Sequence, residues 1–258
     1  MEFIIIGVVA AFASLLTFFS GFGLGTILTP AFMLFFDIEV AIALTGIVHL
    51  LNNLFKMGLV GLKANWQVVL RFGIPAILGA IGGASLLLRF SNSEPIYAYK
   101  LMGYDMQVYT VNLVVAGLMA FFAIFEIVPA LKKMEFSKNK LIAGGAISGF
   151  FGGLSGHQGA LRSAFLIRYG LSKEVFIATG ITIASFIDIT RLGVYFARME
   201  RINIVDNIPI LTTAVLSAFA GAFFGQKLLK KVTLEFVQWT VAIMILVLSA
   251  LLAMGAIH

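Results

Sequence analysis

The side chains able to do chemistry in this chain are few, and they fall in three groups. "GGLSGHQGALRSAF", residues 152–165, places four glycines, a histidine, a glutamine and an arginine in one short break between apolar runs. His49, Asn52, Asn53 and Lys56 follow at i, i+3, i+4 and i+7, which puts them on one face of a helix. Thr182, Ser185, Asp188 and Arg191 follow at three-residue steps. A guanidinium offers a planar fork of donors suited to an oxyanion, and His157, Gln158 and the backbone of a glycine-rich break add further donors. Catalytic signatures are missing: there is no H-E-x-x-H, no G-x-S-x-G and no Walker motif, and the chain has three histidines and no cysteine. The sequence therefore reads as neither an enzyme nor an ATPase. It calls for no cofactor, and disulfides and Cys-ligated metals are excluded.

The elements that must position these groups lie in a bilayer. Of 258 residues, 60% are hydrophobic and 12% charged, and the mean hydropathy is +1.04, far more than one soluble core needs. The net charge of +6 sits in short loops between apolar runs, as topology signals do, so nucleic acid is not an expected partner. Apolar runs fall at 2–19, 27–36, 39–58, 66–89, 107–131, 140–151, 160–170, 174–197, 207–226 and 233–256. Six of these are long enough to cross about 30 Å of hydrocarbon at about 1.5 Å per residue. The runs 27–36, 140–151 and 160–170 are too short, and they flank the glycine-rich breaks. Residues 2–19 lack a basic leader and a small-residue cleavage site, and read as a retained helix that nearly spans alone. Pro30, Pro75, Pro95, Pro129 and Pro209 are expected near helix ends or in a loop. The stretch 89–107 is expected to be an ordinary extramembrane loop, and Glu126, near the end of 107–131, is expected to reach the interface.

The chain also repeats itself. "SGFGLGTILTPAFMLFFDIEVAIALTG" at 20–46 aligns with "SGHQGALRSAFLIRYGLSKEVFIATG" at 155–180 with one residue deleted, matching Ser20-Gly21 to Ser155-Gly156 and Thr45-Gly46 to Thr179-Gly180. Two homologous halves are implied: 1–131, with a broken helix 2–36 and spans 39–58, 66–89 and 107–131, and 132–258, with a broken helix 140–170 and spans 174–197, 207–226 and 233–256. If each broken helix returns to the face it left, three spans per half invert the second half. Twelve basic residues then share one face (Lys56, Lys63, Arg71, Lys132, Lys133, Lys138, Lys140, Arg168, Lys173, Lys227, Lys230 and Lys231) and four the other (Arg89, Lys100, Arg198 and Arg201), with Arg162 and Arg191 inside the membrane. A single crossing at 140–170 would give nine against seven. The positive-inside rule favours the re-entrant arrangement, with both termini outside the cytoplasm. The expected fold is an all-α polytopic membrane protein of two inverted repeats, each a re-entrant or broken helix hairpin plus three transmembrane helices.

Non-helical backbone at membrane depth survives only where protein or a water-filled cavity shields it. The breaks at 20–26 and 152–159 are thus expected to line a cavity near the midplane. The half-helices behind them would aim free N–H groups and positive dipole ends at an anion. Gly21, Gly23, Gly25, Gly156 and Gly159 would let backbone approach the ligand, and Thr26 and Ser155 would donate hydroxyls. Close helix packing is the competing use of such glycines. Arg162, one turn into the second half-helix, needs an anionic ligand or Asp188 to answer its charge. His157 either carries a coupling proton or makes a plain structural hydrogen bond. His49, Asn52 and Asn53 must face the bundle interior, Lys56 is expected to snorkel to the surface, and Asp188 with Arg191 either joins the site or forms a self-neutralising ion pair.

These two segments, together with "GGAISGFFGGLSGHQGA", resemble the sulfite exporter TauE/SafE family, also called the 4-toluene sulfonate uptake permeases, over nearly the whole chain. The resemblance implies movement of sulfur-containing anions such as sulfite, sulfoacetate or related sulfonates across the cytoplasmic membrane. The sequence differs from the usual pattern in carrying "SGFGLG" where members more often have consecutive glycines, and in the charged "GHQGALR". The expected function is secondary transport of a small oxyanion by alternating access, with lipid and a coupling proton or cation as further partners and the oligomeric state left open. An anion channel on the same scaffold would show flux without saturation. A non-transporting scaffold would tolerate Leu at His49, Asn52 and Asn53.

Overall fold

The computed structural model describes residues 1–20, 24–60, 63–91, 93–101, 103–132, 135–198, 204–228 and 234–257. Among them helix dominates, as an apolar chain without water must satisfy its backbone internally. The order is α1 (Glu2–Ser20), α2 (Leu24–Phe32), α3 (Ile38–Val60), α4 (Trp66–Ser91), β1 (Tyr97–Leu101), β2 (Tyr104–Val108), α5 (Thr110–Ile127), a single turn α6 (Pro129–Lys132), α7 (Leu141–Ser155), α8 (Gly159–Leu166), α9 (Lys173–Arg198), α10 (Ile204–Leu228) and α11 (Leu234–Ala253). Within the described residues, α3, α4, α5, α9 and α10 contain segments long and apolar enough to cross a membrane. Leu54, Leu70, Ile74, Leu78, Leu216 and Ile243 are exposed on the bundle surface, where lipid is the fitting solvent. The protein is an all-α membrane protein.

Helix pairing occurs in matched sets: α4 packs on α7 as α1 packs on α10, α4 on α9 as α3 on α10, and α3 and α5 meet α9 and α11. The first set is built on small residues. A Cβ at Gly145, Gly149 or Gly153 would strike the backbone of Phe72, Ala76 or Ala80, and one at Gly79 or Gly83 would strike that of Ala146 or Phe150. Gly221 and Gly225 of α10 stand in the same relation to the carbonyls of Ala11 and Leu15 in α1. Backbone-on-backbone approach of this kind is what drives association in lipid, where apolar side chains gain little by leaving the solvent.

These contacts also fix which helix ends lie together. Lys63 Nζ pairs with Glu174 Oε2 at 2.8 Å, and the Asn65 N–H donates to Thr179 Oγ1 at 2.9 Å, so α4 and α9 begin on one face. The register of α7 along α4 starts it there too. At the other end of the hairpin, Arg168 Nε donates to Glu135 Oε2 at 2.7 Å. The Phe136 N–H donates to Ala164 O at 3.2 Å, and the Phe136 and Phe165 rings stack at 4.2 Å. The α7–α8 hairpin therefore ends beside the point where it begins. On the opposite face, Tyr99 Oη donates to the carbonyl of Met254 at 2.7 Å, and Asp37, after α2, lies beside Ser91 and Tyr109.

Four expectations change. The stretch 89–107 holds an antiparallel hairpin pairing Tyr97 with Val108 and Leu101 with Tyr104, so α5 starts at Thr110 instead of 107. The alternation Tyr-Ala-Tyr-Lys-Leu and a Gly103 at φ 88° in the turn are its cause. Pro75 is the tenth residue of α4, and Pro30 and Pro209 also lie inside helices; neighbouring helices in a bundle make such a missing N–H tolerable. Glu126 is buried at 6% exposure. Lys56 does not snorkel: it is 5% exposed, and its Nζ donates to Thr17 Oγ1 at 3.5 Å. One turn from the end of α3 it meets the polar face of α1 before it meets solvent, and it leaves the count of surface cations.

Candidate functional site

The second break is made by glycine chemistry. The α7 helix ends at Ser155, and Gly156 adopts a left-handed conformation, φ 79°, with its N–H donating to Gly152 O at 3.0 Å, the usual way a helix is stopped. Only two residues separate it from α8. The Gln158 N–H donates to Gly156 O at 3.2 Å, and Ser148 Oγ donates to Gln158 O at 3.2 Å. Near the start of the chain Gly25 and Thr26 are buried in the opening turn of α2, while Gly21 and Gly23 lie outside the described residues. The two breaks meet: a Cβ at Gly25 would lie 3.3 Å from the carbonyl oxygen of Gly156.

Asp188, fully buried on α9, is the hub. Its Oδ2 lies 2.6 Å from His49 Nδ1 and 3.4 Å from Asn53 Nδ2; its Oδ1 takes Arg191 Nε at 3.0 Å and Gln158 Nε2 at 3.4 Å. A carboxylate accepts, so the His49 proton belongs on Nδ1, and Asn53, 3.3 Å from that nitrogen, spends its donor on Asp188. Arg191 is held from several sides. Its Nη2 lies 2.9 Å from Asp188 Oδ1, its Nη1 donates to Gly152 O at 3.5 Å, and a Cβ at Gly156 or Gly46 would come within 2.9 Å or 3.2 Å of the guanidinium nitrogens. Tyr195, one turn further along α9, donates its hydroxyl to the carbonyl of Gly153. The Asp188–Arg191 pair is thus a close i, i+3 ion pair that fastens α9 to the break and to α3.

Arg162 is different. It is 9% exposed, and its Nη1 donates to Gln158 Oε1 at 3.4 Å. Among the described residues no carboxylate lies within ion-pair distance of it, Asp188 included. Lys56 lies within its electrostatic reach. His157 Nδ1 lies 2.9 Å from the Ser155 carbonyl, which can only accept, so its proton sits there and Nε2 is left bare, buried and without a described partner. The ring stacks on Phe122 at 5.6 Å.

Other expected ligand groups are engaged locally. Ser155 Oγ donates to Phe151 O at 3.2 Å, and Thr182 and Ser185 bond back to Ala178 O and Ile181 O on their own helix. Asn52 faces α1 and α10: with its amide turned to suit its neighbours it donates to Ala218 O at 3.3 Å, accepts from Lys56 Nζ at 3.3 Å and pairs with Ser14 Oγ. Sequence reasoning missed Ser14, Thr17, Ser148, Tyr195 and the buried hydroxyls of Thr29 and Thr45, which have no described partner. The repeated Thr-Gly at 45–46 and 179–180 was a signal for Thr45; the others lie singly in apolar runs.

This arrangement defines a class: a polytopic helical membrane protein with a buried polar centre where two interrupted helices meet. The family model of the sulfite exporter TauE/SafE matches residues 6–252, and the chain belongs to that family, which makes it a membrane anion transporter of the sulfite-exporter type. No curated protein and no solved structure matches the chain.

Proposed function

We propose that the protein moves a small sulfur oxyanion or organosulfonate across the cytoplasmic membrane by alternating access, binding it where the two breaks meet. Arg162 carries this reading. A buried guanidinium with no carboxylate at ion-pair distance among the described residues, in the first turn of a half-helix whose own N-terminus is positive, is costly until an anion arrives. Gln158 positions it, Gly25, Thr26, Gly156 and Gly159 supply close backbone, and Lys56 adds to the positive field. Asp188, His49, Asn53 and Arg191 hold the break in shape, and the bare Nε2 of His157 is the group suited to a coupling proton.

The repeats are inverted in this reading: α1–α2 enters from the β-hairpin face and α7–α8 from the other, and the matched helix pairs support it. Rocking then moves bodies that mix the two halves, since α4 is keyed to α7 and α1 to α10. The test is saturable flux of labelled sulfite or a sulfonate in proteoliposomes. Arg162→Ala abolishes it while the protein stays folded; unchanged transport by that variant overturns the site, and flux that never saturates turns the transporter into a channel.

A further inference from the structure

The hairpin of β1 and β2 has two chemically different faces. Side chains alternate along a strand, so the pairing of Tyr97 with Val108 and of Tyr99 with Met106 puts these four on one face and Ala98, Lys100 and Asp105 on the other. The second face suits water: Lys100 Nζ lies 3.3 Å from Asp105 Oδ1, and both side chains are exposed. The first face is turned toward the helices. Val108 is buried on it at 8% exposure, and Tyr99 donates its hydroxyl to the carbonyl of Met254, just past the end of α11. The same segment covers β2, since a Cβ at Gly255, φ 69°, would strike the carbonyl oxygen of Gln107.

Tyr97 extends this face beyond the contact with α11. Its ring stacks on that of Tyr99 at 5.6 Å, yet it is 64% exposed. The surface that it continues is apolar: Ile243, Val247 and Met254 are exposed and recur at helical spacing along one side of α11 and its end. Lipid is the fitting solvent for that stripe. An aromatic ring placed where the stripe ends, on a strand face turned toward the helices, stands at the depth where tyrosine concentrates in membrane proteins, with an apolar body and a polar tip. We infer that this face of the hairpin is a lipid-docking surface. Tyr97 seats its ring in the interfacial layer of the leaflet nearest the end of α11, with its hydroxyl toward the phospholipid headgroups, while Lys100 and Asp105 stay in water.

The chain has no cysteine, so Tyr97→Cys and, separately, Ala98→Cys each carry one spin label in the full-length protein in phosphatidylcholine liposomes. Both positions are exposed, so the fold tolerates the labels. Relaxation by oxygen, which concentrates in the bilayer, is compared with relaxation by a nickel chelate confined to water. The label at 97 should be relaxed more by oxygen than by the chelate, and the label at 98 the reverse, because a strand changes face at every residue. Relaxation by the chelate as strong at 97 as at 98 would place this face in water. Shielding of 97 from both reagents would place a second copy of the chain on it. Either result overturns the proposal. Tyr97→Trp, in a background of Trp66→Phe and Trp239→Phe, keeps an aromatic ring at the position. Its fluorescence should be quenched more by phospholipids brominated near the headgroup than by those brominated deep in the acyl chain, and emission that neither lipid quenches also overturns the proposal.

Discussion

Two arginines on neighbouring helices sit within one polar centre and carry opposite consequences for stability. Arg191 has Asp188 at 2.9 Å and the Gly152 carbonyl at 3.5 Å, so removing either member of the ion pair strands a buried charge. Asp188→Asn or Arg191→Met should lower stability by about 3–5 kcal/mol, read as a large fall in the melting temperature of the purified protein. Arg162 carries its desolvation cost with no carboxylate at ion-pair distance among the described residues, and the more distant Asp188 offsets it only in part. Arg162→Ala should leave the ligand-free protein as stable as before or more so, while abolishing the rise in melting temperature that an anionic ligand produces by mass action. A fall in ligand-free stability matching that of the Arg191 variant would show that Arg162 is structural. The sequence placed both arginines in the membrane but could not tell them apart. Spacing alone put Asp188 and Arg191 on one helical face, whereas the surroundings of Arg162 depend on what other helices bring near it among the described residues.

At the scale of elements, the α4–α7 crossing makes the sharpest prediction. Gly149→Ala should overpack the seam against Ala76 and cost about 1–3 kcal/mol or more, and Gly221→Ala should do likewise where α10 meets Ala11. Gly117, with nothing within 4 Å of its would-be Cβ, is the control, and Gly117→Ala should be neutral or slightly stabilising. Thermal unfolding of the three variants decides the matter. The helices and the break after Ser155 were legible because apolar run length and glycine clusters act locally, while the first break falls on residues 21–23, outside the described residues. The roles of individual glycines were not: Gly149 and Gly156 look alike in sequence, yet one keys a helix against its neighbour and the other turns the chain at φ 79° over Arg191. Lys56 was misplaced for a related reason. Its distance from the helix end suggested snorkelling, and the approach of Thr17 on α1, with Asn52 on its own helix, keeps it inside.

For the whole molecule, the contacts sort loop residues onto two faces, and the absence of native cysteine makes the sorting easy to test. Single cysteines at Glu135 and Arg168 should label from one side of the membrane, and cysteines at Tyr97 and Asp105 from the other. The excess of lysine and arginine predicts that the first pair is cytoplasmic. Labelling of Glu135 and Arg168 from different sides would show that α7–α8 crosses the membrane once, and would overturn the proposal of an inverted second repeat.

The glycine seams also bear on how the protein is made. The partner of α4 is α7, and the partner of α1 is α10, so the first half enters the bilayer with its two tightest surfaces still open. Helices inserted early must wait for segments translated later, and a chain arrested after α5 would present Gly79 and Gly83 to whatever neighbour arrives first. The segment around residues 133 and 134 is then the natural place to divide the chain. Neither piece should persist when made alone, and both should persist when made in the same cell.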